Sequence, residues 1–354
     1  MDLTRRHLLQ AAGAATLGFQ ADPRVGWAVL GLGGYAQGQM LPAFARCKRS
    51  RLLGLISGSP EKAAEVGTRY GIDPKAIYTY ETMERIKDDP RIQVVYVVTP
   101  PGTHRRFVEA MAAAGKHVFC EKPMAPTEAD CRAMIDACRK AGRKLGIGYR
   151  SRYEPNNVAA IRAIREGKLG ALRSLTSDHG FNIGTGLWRT QRKLSGGGSM
   201  MDIGIYSLNA LRYLSGEEPT EVSAHISNPK GDPRFKEVED TVHFTLRFPS
   251  GLLGTGTSGY SWRSGENRYE VLGDRDKIVA NPATPYSGHR FSGPVTIDPN
   301  APDQFAGELD AFSEAVSGGR PFLAPGEEGL RDIRIIEAIY ESAARGRSVR
   351  LPSA

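Results

Sequence analysis

Between Val25 and Tyr149, short apolar runs alternate with stretches that carry polar residues at helical spacing. The runs 26–30, 52–57, 92–98, 117–120 and 144–149 are four to seven residues long, which suits strands better than helices. The stretches 36–46, 60–70, 80–87, 104–114 and 127–141 read as the intervening helices. Gly115 stands where a helix C-terminal glycine belongs, just ahead of His117-Val118-Phe119-Cys120. Strict alternation of this kind predicts βαβ units, right-handed crossovers and an open parallel sheet. After Tyr149 the pattern changes. Strand-like runs at 171–178, 220–227, 238–249, 251–261, 267–273 and 276–280 mix with helices at 156–166, 199–214, 305–317 and 326–344. This predicts an α+β domain with a large open, mainly antiparallel sheet. Helices covering one face would leave the other to a second subunit, a homodimer or a tetramer; a monomer by light scattering would contradict that.

A chain of 354 residues fits about two domains. We divide it into a signal-like segment 1–21, a nucleotide-binding domain 22–149 and a substrate-binding and oligomerisation domain 150–354. The net charge of +8 raises the question of nucleic acid. Its cations are scattered, as in Arg46-Cys47-Lys48-Arg49 and Arg105-Arg106, and no RNP, zinc-finger or basic-helix pattern accompanies them. A solvated basic surface is the better reading, with no nucleic-acid or membrane partner. Cys47, Cys120, Cys131 and Cys138 form no C-x-x-C pair, so free buried thiols and no metal are expected. His179, His243 and His289 lie apart and read as structural. Thr4-Arg5-Arg6-His7-Leu8-Leu9, followed by an Ala/Gly-rich stretch to Phe19, looks like a twin-arginine export signal, which implies a periplasmic protein. If that segment is retained, the expected location is cytoplasmic.

The chemistry starts at Gly31-Leu32-Gly33-Gly34-Tyr35-Ala36, read G-x-G-x-x-A. A glycine turn alone is weak, but this one follows an apolar run and precedes a helix, the context of a dinucleotide fingerprint in a Rossmann domain. Gly31 would allow the tight turn and Gly33 the approach of a pyrophosphate. Gly31, Ser57, Thr99, Glu121 and Lys122 all fall at the carboxyl ends of expected strands, where such sheets bind cofactors. The second strand ends in Ser57-Gly58-Ser59 with Lys62 beyond and no carboxylate before Glu61. Small hydroxyls and a lysine suit a ribose 2′-phosphate, so NADP(H) is expected over NAD. Ser57 and Ser59 also suit helix N-capping.

Two further elements bear on catalysis. Lys122 ends a strand in Cys120-Glu121-Lys122-Pro123, where Pro123 gives the bond a chance of being cis. Asp202 and Tyr206 are four residues apart on an expected helix and so share a face. Gly196-Gly197-Gly198-Ser199 lets that helix begin close to a ligand, with Ser199 as a candidate cap. Oxidising a carbinol requires a base for the hydroxyl proton while hydride leaves carbon. Tyr206 is the candidate base, and a neighbouring Lys122 ammonium would favour its ionised form. Asp202 would orient a sugar hydroxyl or the lysine.

These motifs resemble the glucose–fructose oxidoreductase and inositol dehydrogenase family, from Val25 to about Arg345. The resemblance rests on the glycine turn, on 114–125, on Ile147-Gly148-Tyr149-Arg150, on Trp188-Arg189, on 196–206, on Arg212-Tyr213-Leu214 and on Pro325-Gly326-Glu327-Glu328-Gly329. The run 196–206 is of the glucose–fructose oxidoreductase branch; inositol dehydrogenase-like members usually have histidine where Tyr206 stands. The resemblance implies an NADP-dependent sugar oxidoreductase that oxidises an aldose at C1 to its lactone and reduces a second sugar to a polyol through tightly bound NADP(H). An aldose dehydrogenase with exchangeable NADP is the alternative. It implies Lys122, Tyr206 and Asp202 as catalytic residues. It implies a cofactor site of Gly31, Leu32, Gly33, Gly34, Tyr35, Ser57, Lys62, Tyr80, Thr99, Pro100, His104, Glu121, Lys122, Arg150, Trp188 and Arg189. Substrate would meet Lys122, Arg150, Tyr153, Asp202, Tyr206 and Tyr286. Only Ala21 to Arg24 separate the signal-like segment from Val25, so the long proline-rich arm of glucose–fructose oxidoreductase has no counterpart.

Overall fold

A computed structural model describes residues 22–352 of the chain, and the signal-like segment lies outside the described residues. Strands β1 (Val25–Leu30), β2 (Ser50–Ile56), β3 (Ile77–Tyr78), β4 (Val94–Val97), β5 (His117–Glu121) and β6 (Leu145–Gly148) form one sheet in the order β3-β2-β1-β4-β5-β6. All its pairs are parallel. The order reverses between β1 and β4, which opens a crevice at their carboxyl ends.

The first crossover is not one regular α-helix. It comprises a π turn (Ala36–Met40), a single α turn α1 (Leu41–Ala43) and a 3-10 turn (Phe44–Arg46). Pro42 has no N–H to give to the residue four before it, so the ladder cannot run through. The regular crossovers are α2 (Pro60–Tyr70), α3 (His104–Ala113) and α4 (Glu128–Lys140). Gly115 follows α3 at φ +75°, as expected. The expected helix 80–87 is only a 3-10 segment, Met83–Asp88. At its start the backbone N–H of Thr79 donates to the Thr82 hydroxyl and that of Thr82 to the Thr79 hydroxyl, which offers the chain a turn instead. All four cysteines are buried thiols.

The second sheet holds β7 (Leu172–Asn182), β8 (Glu221–Ser227), β9 (Thr241–Arg247), β10 (Leu253–Gly259), β11 (Ser261–Gly273), β12 (Lys277–Ala280), β13 (Phe291–Ser292) and β14 (Val349–Arg350). Its order is β13-β12-β11-β7-β10-β9-β8-β14, and only the β7–β10 pair is parallel. β9 begins later than expected because Glu239 and Asp240 are engaged elsewhere. Asp240 accepts from the Tyr260 N–H at 2.8 Å and from the Ser261 hydroxyl at 2.6 Å. The helices of this half are α5 (Pro155–Arg165), α6 (Arg192–Ser195), α7 (Ile205–Ser215), α8 (Gln304–Val316) and α9 (Gly326–Arg345). α7 lies against β7 and β10, and α9 against β8. On the opposite face Thr176, Asp178, Thr245 and Thr255 stay at least partly exposed.

The two sheets share a core. Phe312 of α8 meets Trp27 and Phe119 edge-on or tilted, and Trp27 Nε1 donates to Ser313 Oγ at 2.9 Å. The buried Arg212 of α7 reaches Asp332 of α9 at 2.5 Å and also pairs with Glu218 and Glu328. That network fixes α7, and with it the site, against α9, which packs on α4 and β6 of the first sheet.

Candidate active site

The crevice is a cleft of about 730 Å³ running from Gly33 and Gly34 to Asp202 and Tyr206. Its floor is set by the glycine turn. Gly31 has φ +98°, and a Cβ there would lie 2.4 Å from the Val98 carbonyl oxygen, so only glycine fits. Gly33 and Gly34 differ: a Cβ on either would meet no protein atom within 4 Å. The space beside them opens on the cleft, which suits a pyrophosphate. Gly33→Val should therefore keep the wild-type melting temperature while weakening dinucleotide binding at least ~100-fold, about 3 kcal/mol, by calorimetry.

At the end of β2, Ser57 is buried and its Oγ accepts from the Ser59 N–H at 3.1 Å. Ser59 caps α2, accepting from the Lys62 N–H at 3.3 Å. Tyr80 packs its ring on Gly58, where a Cβ would stand 2.8 Å away, so Ser57, Gly58 and Tyr80 form one platform. Lys62 is exposed on α2 and does not line the cleft.

Thr99, Pro100 and Tyr35 line the cleft; Gly31 and Leu32 lie beneath it. His104 does not reach it. Its ring nitrogens face the carbonyls of Thr99 at 2.7 Å and Met124 at 3.1 Å. Burial lowers its pKa, and the ring sits between the loops after β4 and β5. Tyr153 is also displaced from expectation: it stacks on Phe322 at 5.8 Å, outside the cleft wall. Glu121 does line the cleft, accepting from Tyr96 Oη and from the Lys122 N–H at 3.1 Å. Burial pushes its carboxyl up, and that of fully buried Glu308 further still.

The reacting end combines four charged side chains around one tyrosine. Lys122, which precedes a cis proline bond, donates to the Asp202 carbonyl at 2.7 Å and lies 3.6 Å from its Oδ1. Its ammonium is 4.5 Å above the Tyr206 ring, and the Arg150 guanidinium is 5.1 Å from that ring. Arg150 is held by the carbonyls of Thr284 and Pro285 and by Gln304. Asp202 Oδ2 accepts from Arg189 at 2.9 Å and Tyr260 Oη at 2.8 Å. Burial opposes its charge, but Lys122, Arg189 and Tyr260 outweigh that and hold its pKa below the ordinary value. Of the two roles anticipated for Asp202, the structure shows the one toward the lysine. Trp188 stacks under Arg189 at 4.6 Å, and Tyr286, half exposed, stands at the mouth.

Met200–Gly204 is a π turn leading into α7, and Asp202 and Tyr206 both face the cleft from it. Ser199 is not its cap, since its hydroxyl pairs with Ser258 at 2.9 Å. The Glu239 carboxylate, 40 residues away in sequence, accepts from the N–H groups of Gly198 and Met200 instead. Gly198 is needed for this, because a Cβ there would lie 1.9 Å from the Glu239 carbonyl.

Sequence reasoning missed Tyr260, Asn267, Thr284 and the place of His179. His179 stacks behind Tyr206 at 5.8 Å and is pinned by Ser207 at 2.9 Å and Thr284 at 3.0 Å. Burial lowers its pKa to about 3, so it stays neutral at pH 7. Unfolded histidine protonates near ~6.5. The stability it lends is thus complete above that pH and lost as pH falls toward 3. His179→Gln should reduce the stability lost between melts at pH 7 and pH 5 by about 2 kcal/mol.

A dinucleotide fold whose switch point faces a lysine, an aspartate and a tyrosine defines a nicotinamide-dependent oxidoreductase. The chain belongs to the GFO/IDH/MocA family. Residues 25–149 match the model of the oxidoreductase family with NAD-binding Rossmann fold, and 158–279 match the GFO/IDH/MocA C-terminal domain. Among solved structures, it is similar to aldose-aldose oxidoreductase from Caulobacter crescentus complexed with glycerol. That likeness has TM-score 0.90 and 50% identity, covering 93% of this chain and 100% of that one. D-xylose 1-dehydrogenase [NADP(+)] of Haloarcula marismortui is 30% identical over 93% of this chain and 94% of the relative. 1,5-anhydro-D-fructose reductase of Ensifer adhaerens is 28% identical over 92% and 98%.

Proposed function

We propose that this protein is an NADP(H)-dependent aldose oxidoreductase. In its reaction an aldose in ring form is oxidised at C1 to its lactone, and a second sugar is reduced to a polyol. The observation that carries this reading is the Tyr206 ring, set between the Lys122 and Arg150 cations in the cleft that opens from the glycine turn. The 50% identity to an aldose-aldose oxidoreductase supports the substrate class. NADP(H), rather than NAD, is supported by the absence of any carboxylate at the end of β2 before Glu61 and by the NADP(+) of the D-xylose dehydrogenase relatives. Bound with its nicotinamide at this end, the cofactor would accept a hydride from one sugar and return it to another.

The protein's own groups divide the remaining work. Tyr206 takes the C1 hydroxyl proton of the donor and gives a proton to the acceptor's new hydroxyl. Lys122 and Arg150 supply positive charge beside that oxygen as it gains negative charge. Asp202 holds Lys122 in register, and Arg189 holds Asp202. Trp188 and Tyr286 offer flat apolar surfaces at the mouth to a sugar ring. Tight retention of NADP(H) would give ping-pong kinetics, and the partly exposed sheet face would pair two subunits.

The test is product analysis. Protein supplied with glucose and a second aldose, without added cofactor, should yield lactone-derived aldonate and polyol in equal amounts by carbon NMR. Products formed only when free NADP is supplied would instead fit an aldose dehydrogenase with exchangeable cofactor.

A further inference from the structure

Beside Lys122 and Tyr206, which it shares with the cleft, lies a second, small cavity. It is lined by Tyr149, Ser151, Ile205, Asn209 and Tyr213 together with Lys122 and Tyr206. Its volume of about 10 Å³ is at the lower limit for one water molecule. Its wall is polar in an unusual way. The hydroxyls of Ser151 and Tyr213 are buried with no hydrogen-bond partner in the protein, while the buried Tyr149 hydroxyl lies beside the Asp332 carboxylate. Buried hydroxyls left unpaired are costly, so two on the wall of one cavity call for a shared partner. Burial pushes the pKa of Tyr149 and Tyr213 upward, which keeps both as neutral hydroxyls able to donate or accept.

Lys122 supplies the third group. An ammonium has three donors, and the Asp202 carbonyl and carboxylate account for the cleft side. Asn209 closes the far wall, fixed by Arg152 at 3.0 Å and Asp332 at 2.9 Å. The cavity therefore ends against the rigid α7–α9 network rather than solvent.

We propose that Ser151 and Tyr213 build a hydration site holding one water against Lys122, and that these two act as positioning residues for the Lys122–Tyr206 pair. The water would accept from Lys122 and bond to the hydroxyls, within the two to four polar partners a buried water needs. Its effect is to hold the ammonium over Tyr206 and to keep its charge there. The catalytic part of this inference rests on the oxidoreductase reading above; the water site itself does not.

The experiment has two arms. A high-resolution crystal structure of the holoenzyme, with no sugar present, should show one ordered water within hydrogen-bond distance of Lys122 Nζ and of the Ser151 and Tyr213 hydroxyls. The Ser151→Ala/Tyr213→Phe double variant, which removes two oxygens and keeps both apolar frames, should lose that water. Its kcat should fall about tenfold, its content of bound NADP(H) should match the wild type, and the pH profile of kcat should shift, which a merely structural loss would not cause. A dry cavity in the wild type, or a double variant with the wild-type kcat and pH profile, would overturn the proposal. If no aldose is turned over by the wild type, the sugar reading fails, while the crystallographic arm still decides the hydration site.

Discussion

Tyr206→Phe should lose ~10²–10⁴-fold in kcat while binding NADP(H) as the wild type does. The phenol oxygen is the only atom removed, and the ring that fills the space between Lys122, Arg150 and His179 remains. The melting temperature should change little. Steady-state kinetics on any accepted aldose, beside calorimetric cofactor titration, read the two halves separately. Turnover near wild type would show that another group moves the proton, and the account would lose its base.

Lys122→Met carries the second large effect, and it has two parts. The side chain is about 12% exposed and pairs with an aspartate only 20% exposed. Without the ammonium, Asp202 keeps Arg189 and Tyr260 but is left with less compensation for a mostly buried charge. Losing one partner of a buried pair costs about 3–5 kcal/mol; here two other donors remain, so about 2 kcal/mol is expected in chemical denaturation. The catalytic loss should be larger, ~10³-fold in kcat, because positive charge beside the reacting oxygen is removed. Lys122→Arg should recover stability better than activity, since a planar guanidinium cannot reproduce a point charge above the Tyr206 ring.

Much of the site was legible because it depends on local patterns. The glycine turn, Ser57, Thr99, Glu121 and Lys122 are each fixed by standing just after a short apolar run, and a parallel sheet places all such positions along one edge. Asp202 and Tyr206 were legible through their spacing of four. What could not be read depends on contacts distant in sequence. The cap on the turn at Met200 comes from Glu239, and the orienting hydroxyl on Asp202 comes from Tyr260. His179 looked like any core histidine because its role depends on β7 passing behind α7. The error at His104 has the same origin: it follows Thr99 by five residues, but α3 turns it inward to two carbonyls. The helix expected at 80–87 failed on local chemistry, through the Thr79 and Thr82 hydroxyls.

The most direct measurement is the absorbance spectrum of the purified protein with nothing added, then with glucose, then with a second sugar. The account predicts a reduced-nicotinamide band that rises with the first sugar and falls with the second, with no cofactor supplied. A protein that shows no such band with any aldose, even when NADP is provided in excess, would contradict the assignment to sugar oxidation.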